Sequence, residues 1–272
     1  MRAEAASRLA GARHKLQAIF AAGRPALMLG GIMGTDMRIA RAAFEAGVRI
    51  FEPNHPAMAL QMGLGGVTTM NAAEKVRHLV PMSRMVDAVR GLRAVCGDEV
   101  FITVGFPGTF TEEVPVPLSL EDVLSVARAG ADCLHTHKSC LEDVGEIVSL
   151  GHRAGLLVEA YITADDNLGV QAPTDEALKN TVKEFERIGV DLIGLTTGMT
   201  YKGQSAGGFA RAFLDRIKTF TSASRAFRVL EGGIRRENIG SVKDAGLDIV
   251  VVSTALDQEI ASHARRAIEA LM

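Results

Sequence analysis

Short apolar runs rich in β-branched residues alternate along this chain with longer segments whose apolar positions recur at helical spacing. The first pattern fits a strand buried on both faces, and the second a helix lying against a sheet. Eight runs of the first kind occur, at 26–33, 48–54, 100–106, 131–138, 156–163, 190–198, 227–234 and 247–255. Each is followed by a helical segment, and one further helix is expected ahead of them at about residues 4–22.

The punctuation between these runs is regular. Glycine stands just before five of the strands, as Gly47, Gly130, Gly155, Gly189 and Gly246. A residue that reaches the left-handed region without a Cβ penalty suits the end of a helix in a short αβ loop. Thr35-Asp36, Ser119 with Asp122, and Thr174 supply side-chain oxygens where helices should begin. Eight strand-then-helix units with nearly continuous apolar strands predict an α/β fold, a single (βα)8 TIM barrel. Its expected span is 26–272, with residues 1–25 as an N-terminal helical extension.

Two stretches interrupt the repeat after strands 2 and 3. Residues 55–72 are rich in Gly and Met, and 107–118 are rich in Pro. In a barrel both lie on the C-terminal face, where this fold builds its chemistry, so they fit either a lid or a subunit contact.

Composition changes the picture mainly by exclusion. The chain has 272 residues, 30 Lys and Arg against 32 Asp and Glu, a formal charge of -2, no Trp and two Tyr. Neither a positive field nor an aromatic platform for nucleic acid is present, so no nucleic-acid partner is expected. No run approaches the length of a membrane span, and the charged N-terminus does not resemble a signal peptide, so no membrane association is expected. Cys96, Cys133 and Cys140 lack metal-finger spacing, and a reducing cytoplasmic setting is expected.

In a barrel, function is read from side chains at the C-terminal strand ends. Strand 2 offers Glu52, Asn54 and His55; strand 4 offers His135, His137 and Lys138; strand 5 offers Glu159 and Tyr161. Strand 6 adds Thr196 and Thr197, and strand 7 adds Glu231. Alternation along a strand puts His135 and His137 on the face of Cys133, and Lys138 on the other. Two lumen imidazoles suit proton transfer. Lys138 is a candidate amine nucleophile or phosphate partner, but its phase also fits an ordinary lysine at a helix entry. Glu52 and Glu159 sit in apolar runs and each needs a cation or a metal, with Mg2+ against an oxygen-rich substrate as one solution and a salt bridge as the other. Gly232-Gly233 and Ser253-Thr254, in the last two units, fit a phosphate site made of close-approaching backbone and a helix N-terminus.

The stretches GADCLHTHKSCLEDVGEIVSLGHRAG (130–155), VEAYIT (158–163), IGLTTGMTYKGQSAGG (193–208) and VLEGGIRRENIGSVKDAGLDIVVVSTAL (229–256), with VRIFEPNHP (48–56), resemble a known family. They are similar to the ribulose-phosphate-binding barrels of the 3-hexulose-6-phosphate synthase and 3-keto-gulonate-6-phosphate decarboxylase family. The resemblance implies Glu52 as an Mg2+ ligand, His137 as the histidine beside an enediolate, and Gly232, Gly233, Ser253 and Thr254 as the phosphate cradle. It also implies a homodimer. One departure stands out: the family's Asp-x-Lys-x-x-Asp motif on strand 3 is replaced by Thr103-Val-Gly105-Phe-Pro-Gly108.

The expected function is therefore a lyase acting on a small phosphorylated carbonyl substrate, with Mg2+ at Glu52 and acid–base groups His137, His135, Glu159 and Lys138. A sugar-phosphate isomerase or epimerase on the same barrel is the second expectation. A non-catalytic barrel that binds a phosphorylated ligand is the third.

Overall fold

The computed structural model describes residues 2–31, 35–106, 117–164, 169–197, 204–205 and 208–272. Eight parallel strands close on themselves: β1 (Ala26–Gly30), β2 (Ile50–Glu52), β3 (Phe101–Phe106), β4 (Cys133–Thr136), β5 (Leu157–Thr163), β6 (Leu192–Thr196), β7 (Phe227–Glu231) and β8 (Ile249–Val252). The pairing of β8 with β1 completes the ring, Met28 lying opposite Val251. Following the registers once round the ring accumulates a stagger of eight residues, in four steps of two. A stagger of eight on eight strands is the geometry of a (βα)8 barrel, whose interior is filled by side chains.

The predicted terminators behave as glycines should. Gly130, Gly155 and Gly189 adopt left-handed φ of 109°, 80° and 95° at the ends of α6 (Leu120–Ala129), α7 (Leu141–Ala154) and α8 (Asp175–Ile188). Asp36 caps α2 (Met37–Glu45), Ser119 forms a reciprocal capping box with Asp122, and Thr174 caps α8. The seventh unit departs from the expected pattern: β7 is followed by a single 3-10 turn, Ile239–Val242, before Gly246 leads into β8. The 15 residues between β7 and the start of the next apolar run, 232–246, leave little room for more. The eighth unit closes with α10 (Thr254–Glu269), and α9 (Arg211–Ala223) follows β6.

The two interruptions differ in outcome. Residues 55–72 fold into α3 (His55–Gln61) and the start of α4 (Met70–Val76), ahead of α5 (Met82–Cys96), the helix of the second unit. Ala57 and Ala59 of α3 are fully buried, so its base is rooted in the core. The second interruption, 107–118, lies outside the described residues except Pro117 and Leu118, as do 32–34 of the glycine run at 30–34 and 198–203 and 206–207 of the stretch after β6.

The helix ahead of the barrel, α1 (Arg2–Ala22), closes its N-terminal end. Leu16 is completely buried in one cluster with Met28, Ile50, Phe101, Cys133, Leu157, Leu192, Val229 and Ile249, which are the inward residues of the lower strands. A repeated Gly-x-Asp fixes this end. Asp132, Asp191 and Asp248 precede β4, β6 and β8, and each carboxylate accepts the backbone N–H of a residue on the preceding strand: Ile102, Val158 and Arg228. Lys15, Arg13 and Arg24 reach down to the same three aspartates. With the lower end plugged, the opposite end is left for chemistry. Among the described residues, no helix is long and apolar enough to cross a membrane.

Candidate active site

Inward positions on a barrel strand alternate, so the residues above the apolar plug are set by the same phase that built it. Above Ile50 comes Glu52; above Phe101, Thr103 and Gly105; above Cys133, His135; above Leu157, Glu159 and Tyr161; above Val229, Glu231. Three inward glycines make the space these polar groups fill. A Cβ on Gly30 would stand 2.5 Å from Glu52 Oε2, one on Gly105 2.5 Å from Glu52 Oε1, and one on Gly194 2.3 Å from the Tyr161 ring. Gly105 stands in the strand-3 segment that departs from the resembled family, and no larger side chain fits there beside Glu52 and Asn54.

The polar groups form one connected chain from the sealed interior to the mouth. Glu159, fully buried, accepts from Tyr161 Oη at 2.6 Å and from Thr103 Oγ1 at 3.2 Å, and faces His135 Nδ1 at 3.4 Å. His135 Nε2 lies 2.9 Å from His137 Nε2, and His137 Nε2 lies 3.5 Å from Glu231 Oε2. Side-chain exposure rises along this path, from 0% at Glu159 through 3% at His135 and 14% at His137 to 25% at Glu231. The Tyr161 ring packs on both imidazoles, with centroids 4.9 and 4.6 Å away. Glu52, nearly buried, accepts from Asn54 Nδ2 at 3.0 Å.

Burial and mutual charge set the protonation of the cluster. Burial alone would strip the proton from His135, but Glu52 and Glu159 reverse this and hold its pKa up at about 10. Burial opposes charge on Glu159 as well, yet His135, Tyr161 and Thr103 outweigh it and keep that carboxyl below its usual range. Burial raises Glu52 to about 7, against the pull of His135. Glu231 is raised by burial too, with His135 opposing and Glu159 reinforcing. Tyr161 is raised well above its ordinary value by burial and then by Glu159, so it stays a neutral donor. At neutral pH the lumen thus holds a fixed His135–Glu159 ion pair beside a Glu52 carboxyl poised to exchange a proton, which is the kind of spread in pKa that acid–base sites show.

Magnesium is the metal that the sequence reading attached to Glu52. It demands oxygen donors in near-octahedral array. In the structure Glu52 is walled in by Gly30 and Gly105 and engaged by Asn54. The donors that do converge are His135, His137 and Glu231, all within 4.8 Å of one another. Two imidazole nitrogens and one carboxylate oxygen do not suit magnesium.

The remaining predicted residues fall at two other places. Lys138, on the outer phase of β4, turns its ammonium to Asp143 of α7 at 3.9 Å, the arrangement of a lysine at a helix entry. Gly232 and Gly233 follow β7 with φ of 99° and 65°, and the turn is pinned by Asn238, which donates to the Gly233 carbonyl at 2.7 Å and accepts from Arg235 N–H at 2.8 Å. Thr197, at the end of β6, lies against this turn: a Cβ on Gly232 would meet its Oγ1 at 2.1 Å. Thr197 Oγ1 is buried and makes no hydrogen bond among the described residues. Ser253 precedes α10 without capping it through its side chain, and Thr254 opens the helix, so the first N–H groups of α10 are left for another acceptor. Gly31, at the top of β1, lies close enough that a Cβ there would meet the Ser253 Cβ at 3.6 Å.

Glu231, Tyr161, Thr103 and Asn54 carry more of the site than the sequence reading gave them. The signal for Glu231 was present in FRVLEGG, where it shares the inward phase of Val229.

No family model and no curated protein sequence matches the chain. Solved structures do. A 2,3-dimethylmalate lyase of the PEP mutase/isocitrate lyase superfamily superposes with a TM-score of 0.65 at 14% identity, over 97% of this chain and 86% of that one. A variant tryptophan synthase α-subunit of Pyrococcus furiosus superposes with a TM-score of 0.61 at 15% identity, over 91% and 94%. The chain is a TIM barrel. At such identities the likeness is one of fold, and the fold alone carries many activities.

Proposed function

We propose that the chain is an enzyme of the lyase type acting on a small phosphorylated carbonyl compound, of which sugar phosphates are the leading class. The observation that carries this reading is the adjacency of two features at one barrel mouth. One is the acid–base cluster of Glu52, Glu159, Glu231, His135, His137 and Tyr161; the other is the turn of Gly232 and Gly233 with Thr197 and the open N-terminus of α10. An anion favours a helix N-terminus flanked by glycine, so the phosphate belongs at the second. A substrate held there by its phosphate directs its carbonyl end into the cluster, and binding energy from that remote group positions the reacting carbons.

Each cluster residue then has a task. In the metal-free chain His135, kept cationic between Glu52 and Glu159, sets a buried positive charge behind His137 that favours the negative charge developing on the substrate carbonyl as an enediolate forms. His137, bridging to Glu231 and nearer the mouth, moves the proton at the reacting carbon. Glu52 supplies or accepts a second proton near neutral pH. Magnesium has no step in this scheme. The lyase among the structural neighbours agrees with the class but does not identify the substrate. The homodimer implied by the resembled family is kept as part of this proposal.

The test is incubation with a panel of phosphorylated ketoses and aldoses in deuterated water, followed by 1H and 31P NMR. Cleavage into a smaller phosphate ester and a second carbonyl compound is the expected outcome. Deuterium entering the recovered substrate without cleavage would move the assignment to an isomerase or epimerase, the reading favoured by the close pair of imidazoles. Tight binding with neither change would leave a phosphate-binding barrel and refute the enzyme.

A further inference from the structure

We infer that His135, His137 and Glu231 form a binding site for a divalent transition metal of the zinc type, with one coordination position open to the barrel mouth. The inference rests on donor geometry and does not depend on the substrate; a metal on His135 Nε2 takes the place of the proton held there in the metal-free chain, so the imidazolium and the metal-bound state are alternatives.

Three observations carry it. First, the donor atoms already converge. His135 Nε2 and His137 Nε2 are 2.9 Å apart, His137 Nε2 and Glu231 Oε2 are 3.5 Å apart, and all three donors lie within 4.8 Å of one another. Ligands at about 2.0–2.2 Å from a tetrahedral zinc stand roughly 3.4 Å from each other, so the existing spacings need only small side-chain adjustments. Glu231 Oε2 is a buried atom that makes no hydrogen bond among the described residues, although His137 faces it.

Second, the arrangement behind the donors is that of a supported ligand. An imidazole bound to a metal through one nitrogen usually turns the other toward a carboxylate, which fixes the ring and raises its basicity. His135 turns Nδ1 to Glu159 at 3.4 Å, and Glu159 is itself held by Tyr161 and Thr103. That outer carboxylate is fully buried and cannot swing away to another partner.

Third, the count and the direction of exposure suit a reactive site. Two histidines and one carboxylate are three protein ligands, the number that leaves a fourth position for water or substrate. Exposure increases from His135 to Glu231, so the open position faces the mouth. Imidazole-rich sites prefer zinc, cobalt, nickel or iron over magnesium.

The experiment strips the full chain with a chelator and titrates it with Zn2+ by calorimetry and with Co2+ by visible absorption. One ion per chain is expected, with the intense visible bands of a four- or five-coordinate Co2+ bound by nitrogen, while millimolar Mg2+ fails to displace it. His137→Ala and Glu231→Gln should abolish binding. Glu159→Gln should weaken it by about 10- to 100-fold, as the loss of an outer-shell partner does. His263→Ala, on the exposed face of α10, should leave it unchanged. Absence of saturable Zn2+ and Co2+ binding, a Co2+ spectrum like that of the hydrated ion, or binding retained in both ligand variants would overturn the site. If a ligand variant does not fold, the wild-type Co2+ spectrum decides. Because the readout is binding, the result stands apart from whether any sugar phosphate is cleaved.

Discussion

Tyr161 Oη donates a 2.6 Å hydrogen bond to Glu159 Oε1, the same oxygen that faces His135 Nδ1 at 3.4 Å. A buried carboxylate is thereby held by a phenol from its own strand and an imidazole from the neighbouring one. Bonds to charged groups contribute about 1.5–3 kcal/mol, and deleting one partner leaves the other's desolvation uncompensated. Tyr161→Phe should therefore lower the stability by roughly that amount, read as a reduced urea midpoint with an unchanged m-value. A midpoint equal to that of the wild type would show that Thr103 and His135 suffice to hold Glu159.

The inward glycines predict a contrast between two alanine variants. A Cβ on Gly194 would lie 2.3 Å from the Tyr161 ring, whereas one on Gly145 in α7 would meet nothing within 4 Å. Gly194→Ala should destabilise by about 1–3 kcal/mol through overpacking. Gly145→Ala should stabilise by about 0.5–1 kcal/mol, because alanine loses less freedom in a helix. Thermal unfolding of the pair checks both signs, and a harmless Gly194→Ala would mean that the lumen is looser than the contacts imply.

Stability should fall in mild acid because of His55. This residue opens α3, is 1% exposed and packs against Phe106 at 5.6 Å between ring centroids. Burial lowers its pKa from 6.5 to about 4, with the backbone of Gly105 opposing and Arg77 reinforcing the shift. Between those values the unfolded chain binds a proton that the folded chain does not, so stability rises with pH through the window and is lost as pH falls from 6.5 towards 4. The slope from this one group is at most about 1.4 kcal/mol per pH unit. His55→Asn should flatten that part of the profile, and denaturant titrations of both proteins at pH 4.5, 5.5 and 7 would show it. Parallel profiles would remove His55 as the source.

α1 belongs to the barrel's own core. Leu16 is completely buried against the inward residues of the lower strands, so Leu16→Ala should cost about 2–5 kcal/mol, the range for emptying a tightly packed leucine site. A chain lacking residues 1–25 would expose that apolar base and should aggregate instead of remaining a stable barrel. A monomeric, cooperatively unfolding truncation would contradict the plug.

The strands, the terminating glycines and the three helix caps were legible because each is a local signal: β-branched runs, a Cβ-free residue at left-handed φ, an oxygen at an N-cap. The seventh helix was misread because Glu237 to Gly246 has helical composition but too few residues to span the barrel outside as an α-helix. The lumen position of His135 and His137 followed from phase alone, and Glu159 stood out as a carboxylate in an apolar run. Their partners did not, because the contacts of His135 with Glu159 and of His137 with Glu231 cross strands, and cross-strand neighbours depend on register. For the same reason Glu231 joins Glu159 beside the imidazoles, while the metal role that the sequence suggested fell on Glu52, whose setting is decided by Gly30 and Gly105 on the flanking strands.

The last expectation concerns the turn after β7. A ligand bound only by the folded chain stabilises it by RT ln(1 + [L]/Kd), or about 1.4 kcal/mol at ten times Kd. For a chain of this size that is roughly 3–5 °C in Tm. Inorganic phosphate and dihydroxyacetone phosphate should both raise the Tm, the ester more strongly, because its carbonyl end also meets the lumen cluster. Gly232→Ala should remove the shift: at φ 99° an alanine is strained, and its Cβ would lie 2.1 Å from Thr197 Oγ1. Thr197→Val, which keeps the shape and removes the unpaired hydroxyl, should leave the unliganded Tm within about 1 °C and still reduce the shift. If the wild type shows no shift at 10 mM ester, or if Thr197→Val responds as fully as the wild type, the anion is not held at this turn.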